Sequence, residues 1–227
     1  LFRSFTKFGG MIIENAGNFA EFLLFGLREG SWDMKVKCIQ MISQLAAIDS
    51  TLLAPHIEII LAMIQQSNQL EELNFMSLWT EFSAFIELSS LSPEQNQIAF
   101  QAAFESLQSP QLSLESKSLA LTTINSLPFP DQETAILVLN NAFTISVLKG
   151  ENGEFLESIG DLFGRSIDTF GAQPIYDFLK QKIMESINPP NLIAIAVSLY
   201  IISEVIEKLK SQIRDDWAVF HQMVENA

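Results

Sequence analysis

The sequence predicts an all-α chain wound as a right-handed α-α superhelix of about six helix pairs. Three observations carry this expectation. Apolar residues recur at helical spacing along most of the chain. Capping residues, prolines and glycines mark where helices start and stop. The segments between those marks fall into pairs whose starts recur about every 40 residues. Glycine-rich turns at close spacing, which an all-β fold needs, are missing: the 227 residues include only 10 Gly and 8 Pro.

The pairs are read in chain order as 2–16 with 18–29, 32–48 with 51–66, and 69–89 with 93–108. They continue as 112–127 with 131–149, 153–170 with 173–187, and 190–208 with 210–226. Trp32, Val36, Ile39, Ile42, Leu45 and Ala46 form one apolar stripe, and Leu53, Ile57, Ile60, Leu61 and Ile64 the next. Ser31 is placed to cap the helix that starts at Trp32, and Asp131 the one that starts at Gln132. Ser92-Pro93-Glu94-Gln95 reads as a capping box with proline at its first helical position. Gly30, Gly150 and Gly171 stand where a helix end favours a left-handed residue. A period near 40 with short connections is that of HEAT/armadillo-like repeats, so 1–227 is expected to form one solenoid segment.

The stretch "PPNLIAIAVSLYIISEVIE" at 189–207 resembles a membrane span, but Glu204 and Glu207 end its apolar run after about a dozen residues, short of the roughly 20 that a span needs. Pro189 and Pro190 suit a first helical turn, and Ala194, Ala196 and Ser198 allow close packing. The expectation is an interior helix with Ile195, Leu199 and Ile202 out of water, so that Leu199→Ala costs about 2–5 kcal/mol.

Composition narrows the function. The chain is 48% hydrophobic, enough for a large core. Thirteen Lys and Arg against 27 Asp and Glu give a net charge of −14, which repels nucleic acid and attracts basic partners, or simply keeps the chain soluble. Cys38 is the single cysteine, which excludes an internal disulfide and reads as a small buried hydrophobe. His56 and His221 are the only histidines, and neither stands in a Ser-His-Asp or Cys-His arrangement. No Cys/His cluster suits zinc, and "FGG" at 8–10 lacks the lysine of a phosphate loop. Asp161 and Asp168, seven residues apart, share a helix face that suits solvent better than hydrolysis. Trp32, Trp79 and Trp217 read mainly as core, Trp217 being in phase with Ile213, Phe220 and Val224. The reading is therefore a binding protein rather than an enzyme, with no cofactor and no metal.

In a solenoid the second helix of each pair lines the concave face. Removing the apolar stripe from those helices leaves Glu58, Gln101, Glu105, Asn141, Asp177, Gln181, Asp215 and Asp216 pointing outward. Such a row of carboxylates and amides suits basic, extended segments, through charge-assisted hydrogen bonds. The same residues also suit a merely solvated helix face.

Four stretches carry a family resemblance. They are "EGSWDMKVKCIQMISQLA" (29–46), "TLLAPHIEIILAMIQQ" (51–66), "SPQLSLESKSLALTTINSLP" (109–128) and "SIDTFGAQPIYDFLKQKIMESINPPNLIAIAVSLYIISEVIE" (166–207). Their order and pattern resemble the importin-β (karyopherin-β) family of nuclear transport receptors, in its amino-terminal to middle repeats. The chain departs from that family at Pro189-Pro190, where a Trp beside a basic residue is frequent, and it has no long acidic loop. The resemblance implies a HEAT solenoid that carries basic cargo proteins or peptides between cytoplasm and nucleus. It also implies a Ran-type small GTPase and nucleoporins as further partners. No direct contact with nucleic acid and no membrane insertion are expected. A chain opening at Leu1-Phe2-Arg3-Ser4 is expected to belong to a longer protein. The alternative from the same pattern is a HEAT scaffold holding subunits of a phosphatase, ligase or coat assembly.

Overall fold

A computed structural model describes residues 16–46, 56–149, 153–187 and 189–216. The expected helix over 2–16, and the readings made of Leu53, Gly150, Trp217, Phe220, His221 and Val224, lie partly or wholly outside these residues. Among the described residues the fold is all-α, with ten α-helices, one short 3-10 turn and no strand. No helix among them is long and apolar enough to cross a membrane.

Two compact units divide at Ser109 and Pro110. The first contains α1 (Ala16–Glu29), α2 (Trp32–Ala46), α3 (Ile57–Gln65), the 3-10 turn Ser67–Gln69, α4 (Glu72–Leu88) and α5 (Pro93–Gln108). Here α2 packs on α1 and α4, and α3 packs on α5 and α1. Leu23 and Leu27 of α1, Ile39 and Ile42 of α2, and Ile60 and Ile64 of α3 supply buried stripes at helical spacing. The centre of the unit is aromatic. Phe75, Trp79, Phe82 and Phe85 follow one another at intervals of three and four along α4, and all are fully buried. Trp79 stacks on Phe75 at 5.5 Å and meets Phe82 edge-on at 5.7 Å. Its indole N–H donates to Ser67 Oγ at 3.0 Å, so the one polar atom of this large side chain is satisfied.

Capping follows the sequence. Ser31 accepts from the Met34 N–H, and Ser92 and Gln95 form the reciprocal capping box with Pro93 in the first turn. Gly30 differs from expectation, because its backbone is not left-handed. A side chain there would come within 2.4 Å of the Gly26 carbonyl oxygen, so crowding excludes a Cβ. Gly26 is equally constrained, because a Cβ would meet Cys38 Sγ at 2.5 Å where α1 crosses α2.

The second unit contains α6 (Leu114–Ser126), α7 (Gln132–Lys149), α8 (Gly153–Phe170), α9 (Ala172–Ile187) and α10 (Leu192–Asp215). Helix α8 is its hub and packs against α6, α7, α9 and α10. It buries Phe155, Ile159, Leu162, Phe163, Ser166 and Ile167. Asp131 caps α7 by accepting from the Thr134 N–H at 2.7 Å. Gly171 has φ +89° and ends α8 in the left-handed conformation that its position predicts.

Arg165 joins two helices of this unit. Its guanidinium donates to the Ile124 carbonyl at 2.8 Å and to the Leu127 carbonyl, both at the end of α6, and lies 4.6 Å from the Phe129 ring. These carbonyls stand at the C-terminal end of α6, where the regular helical ladder runs out, and the Ile124 carbonyl also accepts the Leu127 N–H at 3.2 Å.

Helix α10 corrects the expectation for 190–208 twice. It runs unbroken through residue 209, because Val205, Leu209 and Ile213 continue its buried stripe and neither Gly nor Pro interrupts it. The residues read as the start of a second helix at 210 are therefore its last turns. Its buried face is Ala194, Val197, Ser198, Ile201 and Val205, and the helix packs against α7, α8 and α9. Leu199 is 44% exposed, Ala196 is exposed, and Ile195 and Ile202 are half-buried. The helix leaves one face in water, so it is not covered all round.

The energetic expectations change with the geometry. Leu199→Ala should cost less than about 1 kcal/mol in a denaturant titration, whereas Ile201→Ala, fully buried, should cost about 2–5 kcal/mol. Equal losses would mean that the phase of α10 is wrong. Arg165→Ala should cost about 1.5–3 kcal/mol, because it strips a charged donor from buried carbonyls.

Candidate functional site

The acid and amide residues expected to line a binding face divide between the two units. In the first, Glu58 is exposed on α3 and accepts from Gln95 Nε2 at 2.9 Å. Gln101 and Glu105 lie one turn apart on α5, exposed, with Gln101 Nε2 donating to Glu105 Oε1 at 2.8 Å. In the second, Asn141 is half-buried on α7 and donates back to the Leu137 carbonyl at 2.8 Å. Asp177 and Gln181 are exposed one turn apart on α9. Gln173 donates to Asp177 at 2.8 Å, and Gln181 donates to Glu185 at 2.8 Å. Gln101 with Glu105, Gln173 with Asp177, and Gln181 with Glu185 are solvent-facing pairs at i, i+4 spacing that hold one another and leave further carboxylate lone pairs for a ligand.

Asp215 and Asp216 do not continue that row on a second helix, since they stand at the end of α10. Asp216 is a fastening between helices. Its Oδ2 accepts from Tyr176 Oη at 2.7 Å and from Lys180 Nζ at 2.7 Å, both on α9. These bonds, Lys180's first, hold the Asp216 carboxyl below its ordinary pKa.

Residues that composition and spacing did not single out form similar fastenings. Gln40 on α2 donates to Glu81 on α4 at 3.1 Å, and burial raises the Glu81 pKa. Ser106 Oγ on α5 lies 2.9 Å from Asn68 Oδ1. Asn125 on α6 donates to the Ser158 carbonyl on α8 at 2.9 Å. Lys208 on α10 reaches back to the Gly164 carbonyl at 3.1 Å and pairs with Asp168 on α8. The partners in these contacts stand 33 to 44 residues apart in sequence. The signal available in the sequence was the spacing itself: a polar residue inside an apolar stripe, with a complementary one 33 to 44 residues away.

The remaining candidates take structural places. Trp32 is half-buried with Lys35 Nζ 4.9 Å from its ring. His56 is buried at the start of α3. Cys38 is buried, and burial pushes its thiol pKa up, so it is a poor nucleophile. Lys117 on α6 is also buried, and burial, then the charge of Lys149, lowers its pKa. No group of three His, Cys, Asp or Glu among the described residues is arranged to hold a metal ion. A cleft of about 600 Å³ opens in the second unit between α7, the end of α9 and the start of α10. Phe143, Val147, Pro190 and Leu192 line it, with Lys182 and Glu185, themselves paired at 3.1 Å, at its polar side.

Comparison with protein-family models, curated proteins and solved structures finds no match to this chain.

Asp216 gives a pH test. Its folded pKa is depressed, so the stability it contributes is present above its unfolded pKa of about 4 and is lost as pH falls through the lower folded value. Asp216→Asn should lower Tm at neutral pH and make the acid decline shallower than in the parent. Parallel acid declines in the two proteins would show that the Asp216 links contribute nothing.

Proposed function

We propose that each unit is a stretch of HEAT/armadillo-like solenoid, and that the chain is a non-enzymatic binding segment that takes basic, extended protein segments on exposed acid and amide residues. The observation that carries the reading is the recurrence of side-chain links at 33 to 44 residues, most of them between helices two places apart in sequence. A repeat of helix pairs, each contacting its neighbours, generates that spacing naturally. The exposed carboxylates Glu58, Glu105 and Asp177 and the net charge of −14 support a basic ligand. The pattern likeness to importin-β receptors supports a basic cargo, with release under a Ran-type GTPase and passage between cytoplasm and nucleus.

Exposed charges interact weakly, and at physiological salt the Debye length is about 8 Å, so affinity must come from several contacts made together. A lysine-rich peptide should therefore bind more tightly than a scrambled peptide of equal charge, and added salt should weaken the binding. The triple variant Glu58→Gln, Glu105→Gln, Asp177→Asn should lose that preference while its helical circular dichroism stays unchanged. Asp216 is left intact because it fastens α9 to α10. If the peptides bind alike and the variant affects them alike, the charge only solubilises. Loss of the bound peptide on adding a GTP-loaded Ran-type GTPase would favour a receptor, and retention would favour a scaffold.

A further inference from the structure

Two Ser-Pro dipeptides occur in the chain, Ser92-Pro93 and Ser109-Pro110, and they stand at the two ends of one helix, α5. A serine directly before proline is the minimal substrate of proline-directed protein kinases, and the proline holds that serine extended. Both serines have such a backbone, with φ −65° and ψ 163° at Ser92 and φ −60° and ψ 124° at Ser109. Their hydroxyls differ. Ser92 Oγ is committed to the capping box, accepting the Gln95 N–H at 3.2 Å and donating to Glu94 Oε2 at 2.9 Å. Ser109 Oγ makes no hydrogen bond among the described residues, and its neighbours Gln108, Pro110 and Gln111 are exposed. Non-helical chain follows Ser109 as far as Ser113, whereas Ser92 leads straight into the first turn of α5.

Ser109 also continues the polar row on α5. It stands one turn after Glu105 and two turns after Gln101, and its helical φ keeps its Cβ in phase with theirs. Gln101 and Glu105 are exposed and hydrogen-bonded to each other. A phosphate on Ser109 therefore lies one turn from the Glu105 carboxylate. The surrounding helices offer it no cation. None of α3, α4 and α5 contains Lys or Arg, and the single cation between residues 38 and 148, Lys117, is buried in the second unit. The helix C-terminus and Glu105 both disfavour the added negative charge, so the cation that relieves it must come from a ligand.

We propose that Ser109 is a phosphorylation site for a proline-directed protein kinase, and that its phosphate extends the row of Gln101 and Glu105 and tightens the hold of that row on a basic segment. The transfer forms a bond from Ser109 Oγ to the γ-phosphorus of ATP as the bond from that phosphorus to the bridging oxygen of ADP breaks. The hydroxyl proton passes to the catalytic carboxylate of the kinase. The phosphate brings about two negative charges and three acceptor oxygens, enough for roughly one to three charge-assisted hydrogen bonds to lysine or arginine. The regulatory half of the proposal rests on the reading of Glu105 as part of a basic-ligand face, and the assignment of Ser109 as the modified residue does not.

The test treats the full chain with a purified proline-directed kinase and Mg·ATP and locates phosphate by mass spectrometry. Ser109 should be modified at least about fivefold faster than Ser92, whose hydroxyl must first leave the capping box. No phosphate on Ser109, or faster modification of Ser92, overturns the site. The phosphorylated chain should then bind the lysine-rich peptide about three- to tenfold more tightly than the untreated chain, and added salt should diminish the gain. The scrambled peptide of equal charge should gain less than about twofold, and Ser109→Ala carried through the same treatment should show no gain. An equal gain for both peptides, or none for either, overturns the regulation, because the phosphate then acts as bulk charge or not at all. A gain that persists in Ser109→Ala also overturns it, by placing the effect at another residue. The two readings fail separately. The mass measurement involves no peptide, so the Ser109 assignment stands or falls on it alone, whereas an untreated chain without preference for the lysine-rich peptide overturns the basic-ligand reading.

Discussion

A helix with a wide apolar stripe cannot bury it against a single neighbour, and this constraint organises both units. The outcome is packing between helices two places apart in sequence: α2 on α4 and α3 on α5 in the first unit, α6 on α8 and α8 on α10 in the second. Consecutive helices supply the remaining cover, as α9 does for α10. Helix α8 is the fullest case, with four neighbours and a buried face that includes two aromatic residues and two glycines. The glycines have a role here. Gly160 and Gly164, one turn apart, let α10 come close enough for Glu204 to lie over one and Lys208 to reach the carbonyl of the other.

Polar links follow from the same stacking. A side chain that emerges at the border of one stripe meets its partner at the matching border of the helix two places on, so the separation is 33 to 44 residues. Arg165, Asn125, Gln40 and Lys208 all obey this rule. Burial of an unpaired polar atom costs more than a hydrogen bond returns, so these links act chiefly to fix which helices stack and in what register. The Arg165 guanidinium is the most specific of them, because its planar fork fits two carbonyls at the end of α6.

Helix positions were legible in the sequence because capping chemistry is local. Ser31, Ser92 and Asp131 announce helix starts by their own side chains, and Gly171 announces an end by its φ. The phase of α10 was not legible. With apolar residues at Leu192, Ile193, Ile195, Val197, Leu199, Ile201 and Ile202, several faces look equally buriable, and only the shape of α7, α8 and α9 selects Val197 and Ile201. Residue 209 misled for a related reason, because charge at Lys208 and Lys210 resembles a boundary although Leu209 between them is fully buried. Of the acid and amide row, Glu58, Gln101, Glu105, Asp177 and Gln181 are exposed as read. Asp216 was hidden, since its partners Tyr176 and Lys180 lie on another helix and nothing adjacent to it in sequence hints at them.

If helix-on-helix stacking organises the chain, stability must follow the number of covered sides rather than helix length or local propensity. Native-state hydrogen exchange resolved by helix measures this directly. The account predicts that amides of α8, packed on four neighbours, exchange more slowly than those of α10, which is the longer helix but packs on three and leaves one face in water. Faster exchange in α8 than in α10 would contradict it, because helix length would then outweigh the stacking on which the whole description rests.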